Sequence, residues 1–487
     1  MRITQVKVKN YRNIDGAAVS LNPDCAYVIG ENALGKTNFL ALLATLGAGR
    51  GWEDDDFYDV ERPIEVALTA VLGPGERGFS GGPAPAEGWT VHLDCRQTID
   101  QSYPTVKDPD TGHRLPIKQL RRLHFQSFRT DDSDSGLSVR DVAENHILDQ
   151  IRRLARSRGT PFDRQLVTAE GGRRILPLVL AIDEPEAHLH PYQQRALIGY
   201  YKRVLAGRDA GFVARIRDEF GINGVEGQLI VVTHSADALV GDHRNLVRFY
   251  RHEGRTAVIS GADPALRFTA ADEKHLVMHF PEIKEAFYAR CVILVEGETE
   301  YGCLSAFADK LGILLDDHGI CVINARGEGT IRPLRRLLSA FAIPSVAIYD
   351  GDVRDKRAAA RGEFFTDTPC FESEVVWRLT EAGRADVVQA AARELDDRGT
   401  EATLTADALR KSFKKMGADA GAYTPARLSQ TDYAADPQAF RLLYAAWFMT
   451  KKGVILGRII GSLIPAGAIP ACYTEAIRQA RAVSGEG

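Results

Sequence analysis

The chain has 487 residues, 45% of them hydrophobic and 26% charged, with a formal net charge of −4. That length exceeds one ordinary core, so two to four domains are expected. The near-neutral balance excludes a globally basic nucleic-acid binder, and any such surface must be a local patch.

The N-terminus, MRITQVKVKNYRNI, lacks the apolar stretch of a secretory signal, and no apolar run reaches the roughly 18–20 residues of a membrane span. Seven scattered cysteines without a C-x-x-C point to a reducing, cytoplasmic setting and away from a zinc site or disulfide frame. Residues 2–9 alternate, with Ile3, Val6 and Val8 apolar, which predicts a half-exposed strand. A short buried strand over 25–29 feeds a glycine-rich turn, and a helix is expected over 37–46. Strands follow at 65–72 and 89–96, with a Gly/Pro-rich hairpin tip at 73–88, and another within 121–129. Residues 138–156 read as a helix. Residues 176–182 and 228–232 are almost wholly apolar, the pattern of central parallel strands. Residues 253–275 read as linker-like. A second βαβ alternation then starts, with strands at 291–295, 320–323 and 345–349 and helices at 299–311 and 330–341. Beyond about 375 the pattern is mostly helical through 487.

Two sites emerge. GENALGKT (30–37) fits G-x-x-x-x-G-K-[ST] between a strand and a helix. Gly30, Asn32 and Gly35 belong to a loop whose amides can cradle phosphate, Lys36 adds a point charge, and the Thr37 hydroxyl can ligate Mg²⁺. The apolar strand LPLVLAI ends in Asp183 and Glu184, where an acid holds Mg²⁺ and its neighbour polarises water. LIVVT ends in His234, which can reach a γ-phosphate. His188 and His190, two apart without a partner pair, read as packing and capping.

The second site is VILVEGETE (292–300) with VAIYDGD (346–352). Glu296 and Glu300 flank one strand-to-helix turn, and Asp350 and Asp352 share another strand end. Such ends of parallel strands are where ligands bind. Four acids converging without basic partners would repel, which Mg²⁺ or Mn²⁺ relieves. Two such ions about 4 Å apart would clamp the attacking and leaving oxygens of a phosphodiester. NARGEG (324–329) is either a phosphate-binding nest or a connection, and Arg332, Arg335 and Arg336 form a candidate phosphate patch or an ordinary charged face.

GENALGKT, AIDEPEAHLHP and IVVTHS resemble, in this order, the Walker A, Walker B and switch motifs of ABC-type ATPase heads of the RecF and SMC kind. The resemblance implies ATP with Mg²⁺, held by Lys36, Thr37 and Asp183, with Glu184 as base and His234 as switch, in paired heads. No clean signature motif is present; residues 169–174 and 133–138 are the nearest glycine-containing stretches. The second unit resembles a Toprim domain, with Glu296 as its glutamate and Asp350 and Asp352 as its D-x-D. Head plus Toprim is similar to the OLD (overcoming lysogenization defect) family of ATP-dependent nucleases, including the nuclease subunit of Gabija-type antiphage systems. This implies an α/β fold divided as head 1–270, with a β-rich insertion near 60–120, Toprim 285–380 and helical region 381–487. It implies a DNA endonuclease, homodimeric or tetrameric, with a helicase or other defence protein as possible partner and no membrane. A further acid, Glu372 before Glu374, and a C-terminal lysine, Lys452 or Lys451, are expected to assist. A topoisomerase would need a nucleophilic tyrosine domain and a primase zinc-binding cysteines; neither is evident. An ATP-dependent DNA-binding sensor, or a recombination or repair ATPase, whose Toprim unit does not cut is the remaining alternative.

Overall fold

The computed structural model describes residues 1–76, 79, 88–129, 138–156, 161–187, 189–356, 360–395, 404–421 and 423–485. They form two compact units, Met1–Ala270 and Ala271–Gly487.

Alternation builds the first sheet of the first unit. Along Ile64–Leu72 every second side chain is buried, and this strand pairs antiparallel with Arg2–Lys9 and Trp89–Gln97. The six strands run Ala18–Ser20, Arg2–Lys9, Ile64–Leu72, Trp89–Gln97, Thr105–Lys107, Arg114–Leu115. Uninterrupted apolar runs build the second sheet, because its strands are covered on both faces. Cys25–Gly30 is buried throughout, and Arg174–Asp183 is buried except at its ends. The order is Arg255–Ser260, Leu246–His252, Cys25–Gly30, Gly224–Val232, Arg174–Asp183, Phe125–Arg129, and the last five pair in parallel. Helix Lys36–Gly47 follows the glycine-rich turn, and its Phe39, Leu42 and Leu43 share one core with Val6, Leu68, Val28 and Ala181.

Residues 253–275 are not a linker. Arg255–Ser260 returns antiparallel along Leu246–His252 through a two-residue turn, with Glu253 and Gly254 both left-handed at φ 49° and 76°. Helix Ala270–Ile283 follows.

The second unit is a four-stranded, wholly parallel sheet in the order Ile320–Asn324, Cys291–Val295, Ser345–Tyr349, Glu363–Phe365. Helices Glu298–Lys310 and Glu328–Ala340 make the crossovers. Helices Phe371–Glu381, Ala385–Leu395, Ala406–Lys415, Pro437–Thr450, Val454–Leu463 and Ala471–Ser484 complete it. They share one core with the sheet: Val295, Phe307 and Ile348 cluster with Phe371, Trp447, Leu456 and Tyr473. Helix Val454–Leu463 lies against Glu298–Lys310 at glycine positions. A β-carbon on Gly457 would collide with the Thr299 carbonyl, and one on Gly302 with that of Val454.

Candidate catalytic sites in the two units

In the first unit, Gly30 and Gly35 take φ of 137° and 92°, a region glycine adopts without strain. Asn32 is exposed on the same loop. The Lys36 ammonium is buried and donates to the carbonyls of Gly30 (2.8 Å) and Glu31 (2.6 Å). Burial lowers its pKa to about 8, against the pull of Asp183, Glu184, Glu31 and Glu186. Thr37 Oγ1 donates to Asp183 Oδ2 at 3.4 Å, so the two proposed Mg²⁺ ligands are neighbours. Glu184 sits just past its strand in the left-handed region (φ 53°), held by its amide donating to the Val232 carbonyl at 2.9 Å. Such a conformation in a non-glycine residue stores local strain. It brings Glu184 Oε1 to 3.9 Å from His234 Nε2. Burial, then the Lys36 charge, lowers the pKa of His234.

Sequence reasoning missed Glu186. It accepts from Thr233 Oγ1 (2.8 Å) and the His234 amide (2.6 Å), tying the ends of two neighbouring strands together. His190 is the N-cap of helix Pro191–Leu205, while His188 lies outside the described residues. Of the two signature candidates, Glu170–Gly172 is a tight turn between Val167–Thr168 and the antiparallel start of Arg174–Asp183, not the beginning of a helix. Residues 133–137 lie outside the described residues, and Ser138 caps helix Val139–Ala155.

In the second unit, strand ends bring the acids together. The Asp350 amide donates to Glu296 Oε2 at 3.3 Å, and Asp350 Oδ1 accepts from the Phe371 amide at 3.0 Å. Burial first, then Asp350, raises the pKa of Glu296. Glu300 is buried, and burial with Asp350 and Glu372 beside it pushes its pKa up to about 8. Burial also raises Asp350, against the nearby charges of Lys415 and Lys452. Glu372 is fully buried at the start of helix Phe371–Glu381 and accepts from Thr299 Oγ1 at 3.2 Å. Thr299 Oγ1 in turn accepts from the Gly453 amide at 3.1 Å.

The expectation that the acids lack basic partners is overturned. Lys452 Nζ lies 3.0 Å from Glu372 Oε2, and Lys415 Nζ lies 3.2 Å from both Asp350 Oδ2 and Asp352 Oδ2. Buried carboxylates need opposite charge, and lysines from two later helical segments supply it. Lys451 stands over the Trp447 ring instead, and Glu374 accepts from the Thr368 amide at 2.8 Å, away from the cluster.

Arg335 and Arg336 do not form a free phosphate patch. Arg335 is paired with Glu363 at 2.6 Å and Arg336 with Asp272, while Arg332 is exposed. The 324–329 loop is pinned to the site strand, its Ala325 and Gly327 amides donating to the carbonyls of Val295 and Glu296, each at 2.9 Å. Among the described residues, no three acid, imidazole or thiol groups are arranged to ligate one metal ion. The donor chemistry nevertheless fits a hard divalent cation: the groups are carboxylates, and their crowding already demands positive charge.

Among the described residues, no helix is long and apolar enough to cross a membrane. Residues 287–352 match the family model of the Overcoming lysogenization defect protein-like TOPRIM domain. The chain is 50% identical over 52 residues to the DNA replication and repair protein RecF of Chlamydia caviae, covering 11% of this chain and 14% of that protein. It is 38% identical over 186 residues to RecF of Klebsiella pneumoniae subsp. pneumoniae, covering 34% of this chain and 51% of that protein. It therefore spans at most about half the length of these relatives. The solved C-terminal region of the Burkholderia pseudomallei OLD protein aligns with 40% of this chain and 99% of that one, at 21% identity and a TM-score of 0.27. Residues 287–352 thus carry a Toprim domain of the OLD-like kind, and part of the chain is similar to RecF.

Proposed function

We propose that this chain is a DNA endonuclease dependent on Mg²⁺ or Mn²⁺ and governed by ATP in its head, acting in bacterial antiphage defence. The observation that carries the reading is the rim of Glu296, Glu300, Asp350, Asp352 and Glu372 with two lysines among them. Glu296, Glu300, Asp350 and Asp352 are the residues that would hold the metal, which when bound supplies Lewis acidity and an activated water for phosphodiester hydrolysis. Glu372 fixes Lys452, whose ammonium faces the site and offers charge to a scissile phosphate. Burial opposes that charge, but Glu372 beside it holds the Lys452 pKa above its ordinary value, so it stays protonated at neutral pH. In the head, Lys36, Thr37 and Asp183 are the residues that would hold ATP with Mg²⁺, and Glu184 beside His234 would orient the water. Residues 1–270 are the head, 285–380 the Toprim unit, and 381–487 complete the nuclease domain. Paired heads, in a dimer or tetramer, would control DNA access, with a helicase or other defence protein as possible partner.

One observation favours a second reading, a sensor that binds DNA without cutting: no three acids are arranged to ligate one ion among the described residues. Plasmid cleavage with Mg²⁺ or Mn²⁺, with and without ATP, separates the two readings. The nuclease reading expects wild-type nicking or linearisation that Asp350→Ala abolishes while DNA binding survives. Metal-dependent DNA binding by wild type with no cleavage under any nucleotide condition would favour the sensor.

A further inference from the structure

Two lysines enter the acidic rim, and they are not equivalent. Lys452 is committed. Its partner Glu372 is fully buried, so withdrawing the ammonium would strand a charge with no access to water. Lys415 is the last residue of helix Ala406–Lys415, an end where the helix dipole favours a cation. Its side chain is 31% exposed, and it spans Asp350 and the 37%-exposed Asp352 through one oxygen of each. The other oxygen of Asp350 is occupied by the Phe371 amide. The Asp350 oxygen without a backbone amide on it is the one that Lys415 holds. An ammonium has three donors and no lone pair, so it cannot join a coordination shell. It either holds these oxygens or yields them.

We propose that Lys415 is an internal counter-ion that competes with divalent metal for Asp350 and Asp352 and so sets the metal concentration at which the site fills. The inference rests on the nuclease reading of this rim. It accounts for the geometry of the rim: one ammonium lies 3.2 Å from an oxygen of each aspartate, where a cation would otherwise sit. A metal that takes these two oxygens requires Lys415 to yield them, and its flexible four-carbon stem and solvent exposure allow that. Lys452 stays in place through the same event.

The test is Mn²⁺ binding to the full chain, followed by loss of the free-ion electron paramagnetic resonance signal, for wild type, Lys415→Gln, Lys415→Arg and Lys452→Gln. Removing the competing charge should tighten Mn²⁺ binding by about tenfold in Lys415→Gln. Lys415→Arg should bind like wild type, and Lys452→Gln, whose ammonium contacts Glu372 rather than the two aspartates, should gain less than Lys415→Gln. Thermal melts supply a second readout. Without metal, Lys415→Gln should melt below wild type, because Asp350 and Asp352 then repel unrelieved, and saturating Mn²⁺ should raise its midpoint more than it raises that of wild type. Equal or weaker Mn²⁺ binding by Lys415→Gln would overturn the counter-ion role while leaving the nuclease reading intact. Absence of Mn²⁺ binding in every chain would overturn both.

Discussion

At the scale of single residues, the pairs that matter are those whose loss leaves a charge stranded. Glu372 has no exposure and depends on Lys452 for compensation. Lys452→Gln should therefore lower the stability of the second unit by about 1–3 kcal/mol in urea titration. Lys451→Gln, which loses only a contact with the Trp447 ring, should cost less than about 1 kcal/mol. Equal costs would mean that the buried acid is compensated elsewhere. His124 makes a different prediction. It is buried, left-handed at φ 44°, and burial lowers its pKa to about 4. In the unfolded chain the imidazole titrates near 6.5, so between these values the unfolded state alone binds the proton. Stability present above about pH 6.5 is lost as pH falls toward 4, by roughly 3 kcal/mol from this group. His124→Asn, which tolerates the left-handed backbone, should lack this component when urea midpoints are compared at pH 7 and pH 5.

At the scale of elements, the glycine contact between Glu298–Lys310 and Val454–Leu463 holds the site's second layer. The Gly453 amide at the start of the latter helix donates to Thr299, which donates to Glu372. Gly457→Ala should force the helices apart, destabilise the unit by about 1–3 kcal/mol in a thermal melt, and weaken cleavage by disturbing that relay. Unchanged cleavage would show that the relay does not position Glu372. The strands and crossovers were legible because an apolar run ending in acids, followed by a helical period, has few other readings. Glu363–Phe365 escaped notice because three residues carry no period, and the 246–260 hairpin because its turn uses Glu-Gly where Asn-Gly or Asp-Gly would have announced it. Glu296 and Asp350 were readable for the same reason as the strands, since each directly follows a strand's last residue. Lys415 was not, because it lies in KSFKK, one of several lysines on an amphipathic helix, and only tertiary packing distinguishes it.

At the scale of the molecule, each unit has its own apolar cluster, one around Phe39 and Val28 and one around Phe307 and Trp447. Two calorimetric transitions are expected, and ATP with Mg²⁺ should raise the one belonging to Met1–Ala270, an effect that Lys36→Ala abolishes. A single transition shifted as a whole by ATP would show that the units unfold together. The shared core of the second unit has a further consequence. The acids of the rim lie between Glu296 and Glu372, whereas both ammonium groups come from beyond them, at Lys415 and Lys452. A chain shortened after the helix Phe371–Glu381 would inherit every acid and neither counter-charge, along with a sheet stripped of core partners such as Trp447, Leu456 and Tyr473. Moved to another chain, the acids should keep their counter-charges only where the helical tail moves with them, so the transferable unit is larger than the motif by which it is recognised.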